Sequence, residues 1–97
     1  MFTGTLALDL LLGDVHSLKE KRSVVRPVVA ALSKLGVSVA EAGHLELHRR
    51  ALIGVAVVAA DAAHAHRVLA TCEHLIADRP EVEILSAHTQ LYKEGDD

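Results

Sequence analysis

Aromatic residues and cysteines are nearly absent from this chain. Phe2 and Tyr92 are its only aromatic residues, and Cys72 is its only cysteine. A sheet that reads RNA by stacking bases needs aromatic side chains within its strands, and the interiors of the strands predicted below hold none. A single cysteine excludes a disulfide within the chain and any metal site built from several of its cysteines. Such cysteine usage is typical of a reducing compartment.

The body of the chain also lacks an excess of charge of either sign. The net charge is −3, but Glu94, Asp96 and Asp97 lie in a polar tail. Without these three, the thirteen acidic residues fall to ten and equal the ten Lys and Arg residues. A neutral body cannot attract nucleic acid through its overall charge. Binding of RNA would therefore need a local cluster of basic side chains.

No segment has the form of a signal peptide or of a membrane span. No basic residue precedes the first apolar run, and Thr5, Asp9 and Gly13 interrupt that run. A membrane-spanning helix needs about 20 predominantly apolar residues, and a signal peptide begins with a basic region. We therefore expect a cytoplasmic protein without membrane association.

Four segments have the pattern of β-strands. Residues 5–12, 37–42 and 82–92 are predicted as strands because apolar residues alternate with others or because good strand formers are concentrated there. Residues 51–60 form an apolar run without a charge, which predicts a central strand buried on both faces.

The first helix is predicted to begin at about Leu18. Ser17 and Glu20 have the spacing of a capping box, in which each side chain satisfies a backbone N–H at the helix start. Gly36 is a suitable C-terminal cap. Pro27 lies inside this segment, so either the helix kinks there or a second helix starts at Ser23.

The second helix is predicted to follow Asp61, a natural N-cap, and to end before residues 78–80. The apolar faces of these strands and helices are predicted to form one core. The predicted core residues are Leu8, Leu10, Val29, Leu32, Ile53, Val55, Val57, Val68, Leu69, Leu75 and Ile76.

The order of elements is βαββαβ, which predicts an α+β fold, the ferredoxin-like sandwich. In it, two helices cover one face of a four-stranded antiparallel sheet. We expect one such domain over residues 1–93, followed by a short acidic tail at residues 94–97. The uncovered face should include Ala7, Leu11 and part of residues 56–60 and so be partly apolar. We therefore expect a homodimer formed through that face or through an edge strand.

Other proteins of this architecture use chemistry that this sequence does not supply. An acylphosphatase-like site is expected to use an asparagine beside an arginine, and the chain contains no asparagine. A copper-chaperone site needs paired cysteines. A small-ligand regulatory domain stays open, because the turn at residues 12–14 could receive a ligand at a dimer interface.

Residues that often carry chemistry have structural explanations here. The seven histidines include no H-x-x-x-H motif on a predicted helix, and a zinc site needs three or four converging ligands. Ser17 lies close to Asp14 and His16 but is better explained as a helix cap. Cys72 falls on the apolar stripe of the second helix, so we expect it to be buried. We predict no catalytic residue, no cofactor and no metal site, and therefore a protein that is not an enzyme.

Basic residues are concentrated at the start of the first helix. With 3.6 residues per turn, Lys19, Arg22 and Arg26 form one stripe that could meet a run of phosphates. The alternative is a solvated helix flank whose long side chains cover apolar surface. A second basic cluster follows at residues 48–50. The candidate contacts for RNA or a protein partner are Lys19, Lys21, Arg22, Arg26, Arg49 and Arg50.

Three segments form a specific combination: SLKEKR at residues 17–22 with Pro27 downstream, VSVAE at residues 37–41, and ALIGVAVV at residues 51–58 before Asp61. In this combination the chain resembles the YlxP family, a bacterial domain family of unknown function, over nearly its whole length. The resemblance implies a ferredoxin-like fold and, in many bacteria, a gene neighbourhood among translation and ribosome-maturation factors. It implies no established catalytic residues.

Two functional hypotheses follow. The first is a non-enzymatic accessory protein of translation or ribosome assembly that contacts a ribosomal particle, RNA or a protein partner through the basic residues of the first helix. The second is a ligand-sensing or structural homodimeric module. The first predicts salt-sensitive co-sedimentation with ribosomal particles, and the second predicts none.

Overall fold

Four strands and two helices follow one another in the predicted βαββαβ order. The computed structural model describes residues 1–95, so Asp96 and Asp97 of the expected acidic tail lie outside the described residues. The elements are β1 (Phe2–Leu12), α1 (Leu18–Ser33), β2 (Ser38–Gly43), β3 (Arg50–Ala59), α2 (Ala62–Ala77) and β4 (Val82–Lys93). The strands form one antiparallel sheet in the order β2-β3-β1-β4, with both helices on one face. The predicted ferredoxin-like fold is confirmed.

The core lies between the sheet and the helices. Every second residue of β1 faces the helices, so the predicted phase of this strand is confirmed. Of the predicted core residues, seven are fully buried: Leu8, Leu10, Leu32, Ile53, Val55, Leu69 and Ile76. Val29, Val57 and Leu75 are partly buried against this core. Val68 is half-buried. Cys72 is fully buried, as predicted.

Strand β3 is central in the sheet but buried on one face only, so the prediction of a strand buried on both faces is wrong. Ala51, Ile53 and Val55 face the helices and are buried. Residues on the other face are half-exposed, and Val58 is 63% exposed. The reason is the placement of both helices on one side, which leaves the second face of an apolar strand without cover.

Helix α1 is one continuous helix that begins at Leu18, as predicted. Ser17 Oγ accepts a hydrogen bond from the backbone N–H of Glu20 at 3.1 Å. The Glu20 carboxylate accepts from the backbone N–H of His16 at 2.7 Å. Pro27 lies inside the helix and is exposed, so water can reach the Ser23 carbonyl that its missing N–H leaves without a helical partner. A second helix starting at Ser23 is ruled out, because α1 runs without a break from Leu18 to Ser33.

The ends of both helices follow the predicted signals. After α1, Gly36 has a φ of +77°, the left-handed backbone that favours glycine, and it directs the chain into β2. Before α2, Asp61 Oδ1 accepts from the backbone N–H of His64 at 2.7 Å. Between these ends, α1 packs against β2.

Candidate nucleic-acid interface and open sheet face

Helix α1 presents three basic residues to solvent, which we call the basic stripe: Lys19, Arg22 and Arg26. All three side chains are exposed, and within residues 1–95 none has a carboxylate at ion-pair distance. The one acidic residue of this helix, Glu20, is bound to the backbone of His16 at the helix start. The stripe residues therefore form no ion pair within residues 1–95.

Lys21 belongs to the same helix but points into the protein. It is 3% exposed, its Nζ lies 2.8 Å from Oε2 of Glu41 on β2, and it donates a hydrogen bond to the carbonyl of His44 at 2.7 Å. A buried ammonium needs such partners because burial of an unpaired charge is costly. Lys21 is thus separated from the basic stripe and connects α1 to β2 and to the loop that follows.

Arg50 is also bound by the fold. It donates from Nη2 to Oδ2 of Asp9 at 2.7 Å and from Nε to Oδ1 at 3.2 Å, a two-pronged contact between β3 and β1. Nε2 of His44 lies 3.4 Å from the same carboxylate. The hydrogen bond from Arg50 lowers the pKa of Asp9 below its usual range, against a smaller opposite effect of burial.

Arg49 binds the turn that was left open as a place for a ligand. Its Nε donates to the carbonyl of Gly13 at 3.0 Å and also contacts that of Leu12 at 3.3 Å. A cleft of about 180 Å³ lies at this turn, between the ends of β1 and β4. The guanidinium donates to both carbonyls of the turn, so Arg49 stabilises the turn.

Of the six candidate contacts, only the three residues of the basic stripe are exposed and unpaired within the part of the chain that the structure describes.

A second groove runs beside the basic stripe, between α1 and the edge strand β2. It has a volume of about 360 Å³, and its apolar part comes from Val25, Val29 and Ala30. Arg22, Arg26 and the β2 residue Glu41 also line it. The two guanidinium groups of the stripe therefore stand beside an apolar depression that also holds a carboxylate, a combination that the sequence did not reveal.

The sheet face without helices, here called the open face, carries a shallow groove of about 370 Å³. Its floor consists of small residues in neighbouring register positions of β1, β2 and β3. Ala7, Ala40, Gly54 and Ala56 form this floor, and Thr5, Ser38, His88 and Gln90 also line the groove. The expected partly apolar open face is therefore present.

One end of the open face carries larger side chains than the groove does. Val58 on β3 and Tyr92 on β4 both pair with Thr3 of β1, so the three side chains form a row across the sheet. Val58 is 63% exposed and Tyr92 is 50% exposed. We call Val58 and Tyr92 the ridge. The hydroxyl of Tyr92 donates to Oε1 of Gln90, a residue that lines the groove.

Three residues of types that often carry chemistry, Cys72, His16 and Ser17, have the following surroundings. Burial raises the pKa of the Cys72 thiol, which disfavours the reactive thiolate. His16 Nε2 lies 2.6 Å from Oδ1 of Asp14 on the exposed surface, and Ser17 caps α1. No group of three His, Cys, Asp or Glu residues in the described part of the chain has an arrangement suited to a metal ion.

Comparison with known proteins gives a family. A family model described as a protein of unknown function, DUF503, matches residues 3–89. The chain belongs to the DUF503 family. No curated protein matches this DUF503 chain. One solved structure with a similar fold is a mutant of SnoaB, a cofactor-independent oxygenase from Streptomyces nogalater. The two sequences are 14% identical, the match covers 98% of this chain and 95% of SnoaB, and the TM-score is 0.48.

Neither helix in residues 1–95 combines the length and the apolar character that crossing a bilayer requires.

Proposed function

We propose that this DUF503 protein is a non-enzymatic accessory protein that contacts RNA through the basic stripe, Lys19, Arg22 and Arg26. The observation that carries the proposal is that three exposed cations lie together along one face of α1, in contrast to two of the other candidate contacts. Lys21 and Arg50 are held by carboxylates of the fold, whereas the three stripe residues are exposed and have no such partner among residues 1–95.

The spacing of the stripe suits a polyanion. Residues 19 and 26 are separated by about 10 Å along the helix axis at 1.5 Å per residue. Three cations along two helical turns can approach successive phosphates of one strand. Neutralising phosphates releases condensed counterions, which favours binding and makes it sensitive to salt. Because the body of the chain is neutral, the binding should depend on these three residues rather than on overall charge.

The resemblance to the YlxP family supports a ribosomal particle as the source of the RNA. Genes of that family lie, in many bacteria, among translation and ribosome-maturation factors. Such a partner is cytoplasmic, so the protein should be located in the cytoplasm.

The test compares two triple variants with equal loss of charge. Lys19→Gln, Arg22→Gln and Arg26→Gln remove the basic stripe, and Lys34→Gln, Arg67→Gln and Lys93→Gln remove three exposed cations elsewhere. Binding to ribosomal RNA is titrated at several salt concentrations. The stripe variant should bind more weakly, and the slope of log K against log salt should fall by about two. The control should keep both values close to wild type; equal losses in the two variants would overturn the proposal.

A second candidate is the homodimeric module, and the groove on the open face favours it. Exposed apolar side chains that lie side by side on one surface can mark a site of association, and Val58 and Tyr92 are exposed beside this groove. We propose that the protein forms a homodimer through this face. Sedimentation equilibrium should give twice the mass of the chain at micromolar concentration, and a monomer at high concentration would contradict the homodimer.

A further inference from the structure

We infer that a second copy of the chain inserts its ridge, Val58 and Tyr92, into the groove of the open face, and receives the ridge of the first copy in its own groove. The inference rests on the proposed homodimer and adds the way in which the two copies fit together.

The size of the open face matches what a stable dimer needs. Four strands about 4.8 Å apart and about ten residues long cover roughly 600 Å² in projection. A stable protein interface buries about 800 Å² on each partner. The open face and its protruding side chains are close to this value, whereas the groove alone is much smaller. A complete sheet face of another copy therefore fits better than a partner that fills the groove only.

The open face places large exposed side chains in a row next to small residues, which is the arrangement that a self-complementary surface needs. In a two-fold dimer the same surface is used twice, so every projection needs a matching depression on that same surface. Val58 and Tyr92 form the projection. Ala56 lies next in register toward the groove, and Gly54 and Ala7 lie one step further. A two-fold axis between the ridge and the groove would bring each ridge over the other copy's small residues.

The distribution of charge on the open face also permits self-association. The residues that line the groove include no Asp, Glu, Lys or Arg. The nearest charged residues on the same face, Asp9 and Arg50, neutralise each other within one copy, so two copies would not bring like charges together there. The polar side chains of His88 and Gln90 lie along one side of the groove. An apolar centre with a polar rim is the usual anatomy of an interface.

The test uses two single variants that should repair each other. Val58→Glu puts a carboxylate on the ridge, and Ala56→Lys puts an ammonium in the groove. In a homodimer of either variant, both contacts contain an unpaired charge. In the mixed dimer, one contact joins Glu at position 58 to Lys at position 56 and the other contact is wild type. Each variant alone should raise the dimer dissociation constant by about tenfold or more, and the equimolar mixture should recover most of this loss.

Leu45→Glu is the control, because Leu45 is 58% exposed in the loop between β2 and β3 and does not line the groove. This variant should remain as dimeric as wild type, and circular dichroism should show that all three variants are folded. If wild type is dimeric but the two variants dissociate and do not recover on mixing, the inserted ridge is wrong. The homodimer itself would still be supported in that case. A monomeric wild type would overturn both, and binding of an apolar dye by that monomer would assign the groove to a small ligand.

Discussion

The side-chain nitrogen of Lys21 lies 2.8 Å from Oε2 of Glu41, in the layer between α1 and β2. Arg22, the next residue along the helix, is exposed. The helical turn of about 100° per residue separates these two basic neighbours, so one contributes to the fold and the other to the surface. The basic segment that follows the first strand therefore has two roles.

Removing the Lys21 ammonium should destabilise the fold. Lys21→Met leaves the Glu41 carboxylate and the His44 carbonyl without their partner, and we expect a loss of about 1 to 3 kcal/mol in the free energy of unfolding. This range lies below the usual cost of breaking a fully buried pair, because the side chain of Glu41 is 26% exposed. Urea denaturation measures the loss.

The matched double variant separates loss of packing from loss of charge compensation. Lys21→Met combined with Glu41→Leu removes both charges and should recover most of the stability. A double variant no more stable than Lys21→Met alone would contradict this explanation.

Truncating Leu69 should have a large effect on stability. Leu69 is 1% exposed, and its Cδ1 packs so closely on Gly4 of β1 that an added Cβ there would lie 2.9 Å away. Leu69→Ala should therefore lower the free energy of unfolding by about 3 kcal/mol or more. Leu45→Ala, at an exposed position, should change it by less than about 0.5 kcal/mol. Similar denaturation midpoints for the two variants would show that α2 is not packed as described.

The sequence was sufficient to predict the order of the elements, because the alternation in β1 and the caps at Ser17 and Asp61 are local signals. The first residues of β1 were missed, since Gly4 has no side chain and interrupts the visible alternation. The strand nevertheless begins at Phe2, because these residues pair with both β3 and β4. Backbone pairing between distant strands determined this boundary.

The pair between Asp9 and Arg50 should make stability depend on pH in the acidic range. The hydrogen bond from Arg50 lowers the pKa of Asp9 in the folded protein, so the folded state binds the proton less tightly than the unfolded state. The resulting stability is present above the unfolded value of about 3.9 and is lost as pH falls through the lower folded value.

Asp9→Asn and Arg50→Gln should both reduce this dependence. Thermal unfolding followed between pH about 5 and about 2.5 should show a steeper loss of stability for wild type than for either variant. Parallel curves for the three proteins would mean that the pair does not contribute through the ionisation of Asp9.

The candidate surfaces were predicted only in part. Helical periodicity placed Lys19, Arg22 and Arg26 on one stripe, and the structure leaves them exposed. The burial of Lys21 could not be predicted, because its partner Glu41 lies twenty residues away on a strand whose position under α1 depends on the tertiary fold. Part of residues 56–60 was expected on the open face, but the row that joins Val58 to Tyr92 was missed, because it depends on the pairing of both strands with β1.

Sedimentation of a tagged protein in native lysate, over a series of salt concentrations, tests the proposed RNA contact most directly. Wild type should co-sediment with ribosomal particles at low salt and be released as salt rises. The variant lacking Lys19, Arg22 and Arg26 should be released at lower salt, whereas the variant lacking Lys34, Arg67 and Lys93 should follow wild type. Absence of wild type from the particles at every salt concentration, or identical release of all three proteins, would contradict the proposal.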